Sequence, residues 1–211
     1  NFTLLYPVQV DWEKFTAYRP DIPFSDEVIE FLNILSGGIL KDRNSRLYPD
    51  VITFAFFCRK ANLQKLKGEY VHEELRLGRG VLFHIAPSNV PINFGYSLVA
   101  GLLSGNINIV RVSSKQFPQV DLIIKHLHEI LKSELYDEVA SRIVLVRYDR
   151  TSDANAYFSS IANVRVIWGG DTTIATIRQS ALPARSFDVC FADRYSIAAI
   201  NPTAIISATD V

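Results

Sequence analysis

Asn89 is the residue best placed to do chemistry. It lies in the run Pro87-Ser88-Asn89-Val90-Pro91, where each proline fixes its own φ and restricts the residue before it, so a turn is forced. The Asn89 amide can donate a hydrogen bond, and the helix expected behind it carries free N–H groups and partial positive charge at its start. That setting suits an oxyanion developing on a substrate carbonyl. Asn is also common in turns for local reasons, and spacing alone favours that plainer role. Two more stretches could hold a ligand. One is the run with Arg111, Ser113, Ser114 and Lys115; the other is Trp168-Gly169-Gly170-Asp171. Glycine in the latter would let backbone approach a ligand closely.

The elements that must position these residues read clearly. An apolar run over 81–86, flanked by Gly78, Gly80 and Pro87, has the pattern of a buried strand. Phe94, Leu98, Val99, Leu102 and Leu103 then follow helical spacing, with Gly101, Ser104 and Gly105 loosening the helix end. A second apolar strand over 107–112 completes a βαβ unit, whose connection should be right-handed. Further buried strands are expected over 143–147 and 164–168, and others over 187–191 and 196–200. Helices are expected over 120–131, over 152–161 with Thr151 or Ser152 as cap, and over 172–179. Strands alternating with helices argue an α/β fold with a doubly wound, mostly parallel sheet. Ligands in such sheets bind at the carboxyl ends of strands, and all three candidate stretches lie at such ends. The G-x-G-x-x-G fingerprint is absent, so an ordinary dinucleotide-binding motif is unsupported.

Before this sheet, residues 1–24 read as irregular, with Pro7, Pro20 and Pro23. Ser25 is a plausible N-cap, with Asp26 and Glu27 in the first turn of a helix that Gly37-Gly38 should end. The stretch 51–66 reads as one helix, and 70–79 as a surface strand or connector.

The chain has 211 residues, 48% hydrophobic, with 22 basic and 22 acidic side chains. That content suffices for a sizeable core. The charge balance gives no reason to expect nucleic acid or an anionic membrane as partner. No apolar run reaches membrane-spanning length, and the start lacks the pattern of a signal peptide. A cytoplasmic protein is the expectation. Cys58 and Cys190 sit far apart in apolar contexts and read as buried free thiols. His72, His84, His126 and His128 are scattered without a carboxylate or cysteine cluster, so no metal site is expected. His84, inside a strand, reads as a core histidine. There is no Met in the chain, which fits a piece of a longer protein.

The runs GVLFHIAPSNVP, SLVAGLLSGN and NIVRV together resemble the fatty acyl-CoA reductases of bacterial bioluminescence systems, a branch of the aldehyde dehydrogenase superfamily. APSNVP is similar to that superfamily's P-W-N-F-P turn, and VIWGGDTT to its F-T-G-S-T turn. The resemblance covers most of the chain from about residue 69 and, more weakly, the part before it. It implies a cofactor-binding α/β domain over 69–211, a largely helical segment over 1–68 packed on it, and a catalytic domain beyond Val211. It also implies that Ala86, Pro87, Ser88, Arg111, Ser113, Ser114, Lys115, Trp168, Gly169 and Gly170 bind a nicotinamide cofactor, and that Asn89 is catalytic. Ser114 stands where NAD-preferring members often carry Glu. With Lys115 beside it, NADPH is the implied cofactor and NADH the alternative.

The implied reaction reduces an acyl-CoA or acyl-protein thioester to an aldehyde through a cysteine acyl-enzyme. Cys190 follows Gly170 too closely to match the family's nucleophile, which would then lie outside this chain. FADRYS stands where water-using relatives carry E-L-G-G-K; the missing Glu favours thioester reduction, although Asp193 and Arg194 are nearby. The implied partners are a second copy of the chain and an acyl-protein synthetase. Two other readings are a related acylating aldehyde or semialdehyde dehydrogenase and a non-catalytic nucleotide-binding scaffold.

Overall fold

The computed structural model describes residues 1–70, 74–149, 152–192 and 197–204. In chain order the elements are β1 (Thr3–Tyr6), α1 (Trp12–Ala17), α2 (Asp26–Lys41), α3 (Pro49–Phe57), α4 (Lys60–Tyr70), β2 (Val81–Ile85), α5 (Asn93–Leu103), β3 (Ile107–Arg111), α6 (Pro118–Ile130), α7 (Asp137–Ala140), β4 (Ile143–Arg147), α8 (Ala154–Ile161), β5 (Val164–Trp168), α9 (Asp171–Arg178) and β6 (Phe187–Phe191). The strands form one sheet in the order β1-β4-β3-β2-β5-β6. The five from β2 to β6 pair in parallel, and β1 pairs antiparallel with β4. This is the doubly wound α/β sheet that the alternation of strands and helices predicts. The strand order reverses beside β2, which has β3 on one side and β5 on the other.

Helices cover both faces, because β2, β3 and β4 are apolar on both sides. On one face Val110, Val112 and Leu145 pack with Phe31, Leu35, Phe54, Leu98 and Ile123 from α2, α3, α5 and α6. On the other, Phe83, Ile109 and Val146 pack with Phe15, Phe158 and Ile174 from α1, α8 and α9. Truncating one such fully buried side chain to Ala typically costs about 2–5 kcal/mol. At the β5–β6 edge cover is thinner: Leu82, Val164 and Val166 form a small cluster of their own, and Phe187 and Phe191 stay exposed.

Several local expectations need correction. Residues 1–24 are not irregular throughout: β1 closes one sheet edge, and α1 is capped by Asp11, whose carboxylate accepts from Lys14 N at 3.1 Å. Gly37-Gly38 does not end α2, which runs on to Lys41. A Cβ on Gly38 would lie 3.3 Å from His126 Nδ1, so this glycine admits α6 to close packing. Ser25 occupies the N-cap position but makes no side-chain cap bond. The stretch 51–66 is two helices, because Asn33 Oδ1 accepts from Lys60 N at 3.1 Å and starts α4 anew. Residues 74–79 are a connector, and 197–200 form no strand. His72, Thr151, Asp193, Arg194 and Ser196 lie outside the described residues.

Gly101 sits inside α5, not at a loosened end. A Cβ there would collide with Asn108 Oδ1 and come within 2.9 Å of His84 Nε2. The true stop is Gly105, whose φ of 74° is the left-handed turn after the helix. Gly101→Ala is expected to lower stability by about 1–3 kcal/mol, the usual cost of overpacking. Urea unfolding of the full-length protein checks this; an unchanged midpoint would show that α5 can move away from the sheet at little cost.

Candidate functional site

A cleft of ≈ 940 Å³ opens at the carboxyl ends of β2, β3, β5 and β6. It lies at the switch point between β2 and β5, where loops leave the sheet in opposite directions. Its walls include Ala86, Pro87, Ser88 and Asn89 from the turn after β2, and Arg111 from β3. Trp168, Gly169 and Gly170 close it from the end of β5. The structure thus brings together eight residues that the sequence singled out. Ser113, Ser114 and Lys115 are not among the lining residues. Ser113 is buried in the loop after β3, where its Oγ accepts from Lys115 N at 3.1 Å and its carbonyl from Arg147 Nε at 3.1 Å. Ser114 and Lys115 are exposed on that loop.

Asn89 is exposed at the cleft rim, just before the turn that starts α5 at Asn93. Across the cleft, Gly169-Gly170 leads into α9, with Gly170 as N-cap and no side-chain cap bond. The first-turn N–H groups of α9 are therefore available to an anionic ligand, and Thr172 and Thr173 line the cleft beside them. Asp171, in the same turn, is exposed and is not among the lining residues.

Arg111 is 9% exposed, and its side chain is held against Tyr148. One guanidinium nitrogen donates to the Tyr148 carbonyl at 3.3 Å, and the guanidinium carbon lies 4.8 Å from the Tyr148 ring centre. The Tyr148 hydroxyl donates to Asn155 Oδ1 at 2.6 Å, and burial raises the phenol pKa, so it stays a donor. Asn155 also lines the cleft. Two polar wall residues are thus fixed through one buried tyrosine. Sequence reasoning missed Asn155; the strand-end rule applied to β4 and the helix after it would have found it.

Cys190 needs a correction. It is partly exposed, it lines the cleft, and an Arg178 guanidinium N–H donates to its Sγ at 3.5 Å. The apolar run FDVCFA suggests burial, but an apolar run is buried only where its strand is covered. β6 is the sheet edge, and its burial alternates between exposed and half-buried. Cys58 is buried as expected, and burial raises its thiol pKa. Phe191 also lines the cleft without having been singled out by the sequence; its ring stacks on Trp168 with centroids 3.9 Å apart and planes 9° from parallel. Among the described residues no group of three or more His, Cys, Asp or Glu could hold a metal ion, and no helix is long and apolar enough to cross a membrane.

A cleft with a glycine turn, an uncapped helix start and a clamped guanidinium fits a phosphate-bearing dinucleotide. The fold carrying it is the cofactor-binding fold of the aldehyde dehydrogenases. Glyceraldehyde-3-phosphate dehydrogenase GapN from Methanocaldococcus jannaschii, solved in complex with NADP, aligns with a TM-score of 0.57 at 16% identity, over 85% of this chain and 44% of that one. A lactaldehyde dehydrogenase aligns at 0.56 and 14% identity, over 85% and 41%. Proline utilization A from Bradyrhizobium japonicum aligns at 0.58 and 16%, over 85% and 20%. The chain therefore spans less than half the length of each of these proteins. The Acyl-CoA reductase (LuxC) family model matches residues 57–211, and the chain belongs to that family. No curated protein sequence matches it significantly.

Proposed function

We infer that the chain is the cofactor-binding part of an NADPH-dependent fatty acyl-CoA reductase, which converts an acyl thioester to an aldehyde through a cysteine acyl-enzyme. The observation that carries this reading is that Asn89 and residues at the α9 start line one switch-point cleft, in a chain of the acyl-CoA reductase family. The nicotinamide cofactor, when bound, supplies the hydride. Gly169, Gly170 and the α9 amides would hold its pyrophosphate, and Arg111 its adenosine ribose. Trp168 would wall the nicotinamide side, and the Asn89 amide would donate to the oxyanion formed as the thioester carbonyl is attacked. Neither cysteine of the chain is assigned as nucleophile: Cys58 is buried away from the cleft, and Cys190 sits on the edge strand against Arg178. The substrate is an acyl-CoA or an acyl-protein thioester in the cytoplasm. A homo-oligomer and an acyl-protein synthetase partner follow from the family resemblance.

The full-length protein is expected to oxidise NADPH when given a fatty acyl-CoA and to release the aldehyde. NADH should serve less well, by a margin that shrinks at high salt, because the exposed Lys115 and the absence of an acidic residue at Ser114 favour a 2′-phosphate only through solvent-screened charge. Ser114→Glu should narrow the margin further. No acyl-CoA-dependent oxidation of either cofactor would sink the assignment; equal use of both at low salt would remove only the preference.

A further inference from the structure

We propose that Ser97 and His84 are positioning residues for Trp168, holding its indole in the cleft wall through a buried hydrogen-bond relay that runs in one direction. The inference rests on the reading of the cleft as a nicotinamide-cofactor site. The direction follows from the donors available. The Asn108 amide nitrogen donates to the Asn106 carbonyl at 2.8 Å, so Asn108 Oδ1 is the acceptor facing His84 Nε2 at 3.0 Å. His84 Nε2 therefore carries the proton. Burial pushes the His84 pKa down to about 4, against the opposing pull of Asn108, so the ring is neutral and Nδ1 is bare. Nδ1 then accepts from the Ser97 hydroxyl at 2.8 Å. Ser97 Oγ is left as the acceptor for Trp168 Nε1 at 3.2 Å, and an indole N–H can only donate.

Every link thus has a single sense, from the cleft wall to the Asn106 backbone. His84, Ser97 and Asn108 are all buried, so the bonds among them are made out of water's reach, while the bond to Trp168 is part-buried. The fit is tight: Gly101 is the α5 residue whose missing side chain admits Asn108 and His84. At the other end, the Trp168 ring lies parallel to Phe191. The relay sets the tilt of that aromatic pair, and so the flatness of the wall a planar ligand ring would meet.

The test uses the full-length protein with Ser97→Ala, Trp168→Phe and the double variant. Ser97→Cys is added as a near-isosteric change that weakens both bonds while filling the space, and it decides the matter if Ser97→Ala does not fold. The emission lost in Trp168→Phe isolates Trp168. That component should become more quenchable by acrylamide in the Ser97 variants. Binding of NADPH, read from its own fluorescence, should weaken by about five- to tenfold in Ser97→Ala. In the Trp168→Phe background the same change should add less than about twofold, because Phe has no N–H to hold. Full additivity, or unchanged quenching of Trp168, would overturn the relay. Failure of the unmodified protein to bind NADPH would overturn the cofactor reading alone, since the quenching comparison decides the relay without it.

Discussion

Asn89→Ala in the full-length protein is expected to slow acyl transfer by about a hundred- to a thousandfold, the usual consequence of losing one oxyanion donor, roughly 3–4 kcal/mol in the barrier. Affinity for NADPH should change little, because the groups assigned to its pyrophosphate, Gly169-Gly170 and the α9 start, belong to a different loop from Asn89. The split between the two readouts is what distinguishes a catalytic donor from a turn residue. A residue that only shapes the turn between β2 and α5 would disturb both, since Ala86 and Ser88 in the same turn also line the cleft. Single-turnover kinetics with acyl-CoA, beside a cofactor titration, gives the answer. Unchanged acyl transfer would return Asn89 to its turn.

The second large effect concerns stability. Arg165 on β5 is 1% exposed, yet all three nitrogens of its guanidinium are engaged. It donates to both Asp188 oxygens at 2.8 and 3.2 Å, to Ser159 Oγ at 2.9 Å, and to the carbonyls of Ile177 and Ser180 at 3.0 and 2.9 Å. Asp188 also takes Arg178 Nε at 3.1 Å. Asp188→Ala leaves a buried cation without its counter-charge, and the expected loss is about 3–5 kcal/mol at neutral pH. The pH dependence has a definite sign. Burial pulls the Asp188 pKa upward, but hydrogen bonds and charge from Arg165, then Arg178, overcome it, so the folded value is depressed. The stabilisation is complete above the unfolded carboxylate pKa of about 3.9 and is lost as pH falls through the lower folded value. The gap between the variant and the unmodified protein should therefore narrow below about pH 4. Urea unfolding across that range is the measurement, and a gap that widens in acid would contradict the ion-pair account.

The parts of this molecule legible in the sequence are those decided locally. β2, α5 and β3 announce themselves because two strand-length apolar runs bracket one helical rhythm, and strand ends then point to Ala86, Ser88, Asn89, Arg111, Trp168 and Gly170. What was hidden depends on distant residues. The break between α3 and α4 is set by Asn33, 27 positions before the Lys60 N–H it accepts. The passage of α2 through Gly37-Gly38 is set by the packing of α6 at His126. Asn155 lies in the helix after β4, within reach of the strand-end rule, whereas nothing near Phe191 in sequence marks β6 as a wall of the same cleft. The run from Ser113 to Lys115 follows Arg111 on the loop after β3; Ser114 and Lys115 are exposed there and are not among the lining residues.

The antiparallel strand β1 has a consequence for the order in which the molecule can be made. Its partner is β4, with Thr3 paired to Arg147, and the Asn1 carbonyl accepts from Ser152 Oγ across 151 positions. On a ribosome adding roughly 5–20 residues each second, this segment waits on the order of ten seconds for the strand it pairs with. Until then Leu4 and Leu5 have no sheet to join, while β2, α5 and β3 can assemble among themselves. β1 is thus made before β2, α5 and β3 but placed after them, and its docking on β4 closes one edge of the sheet.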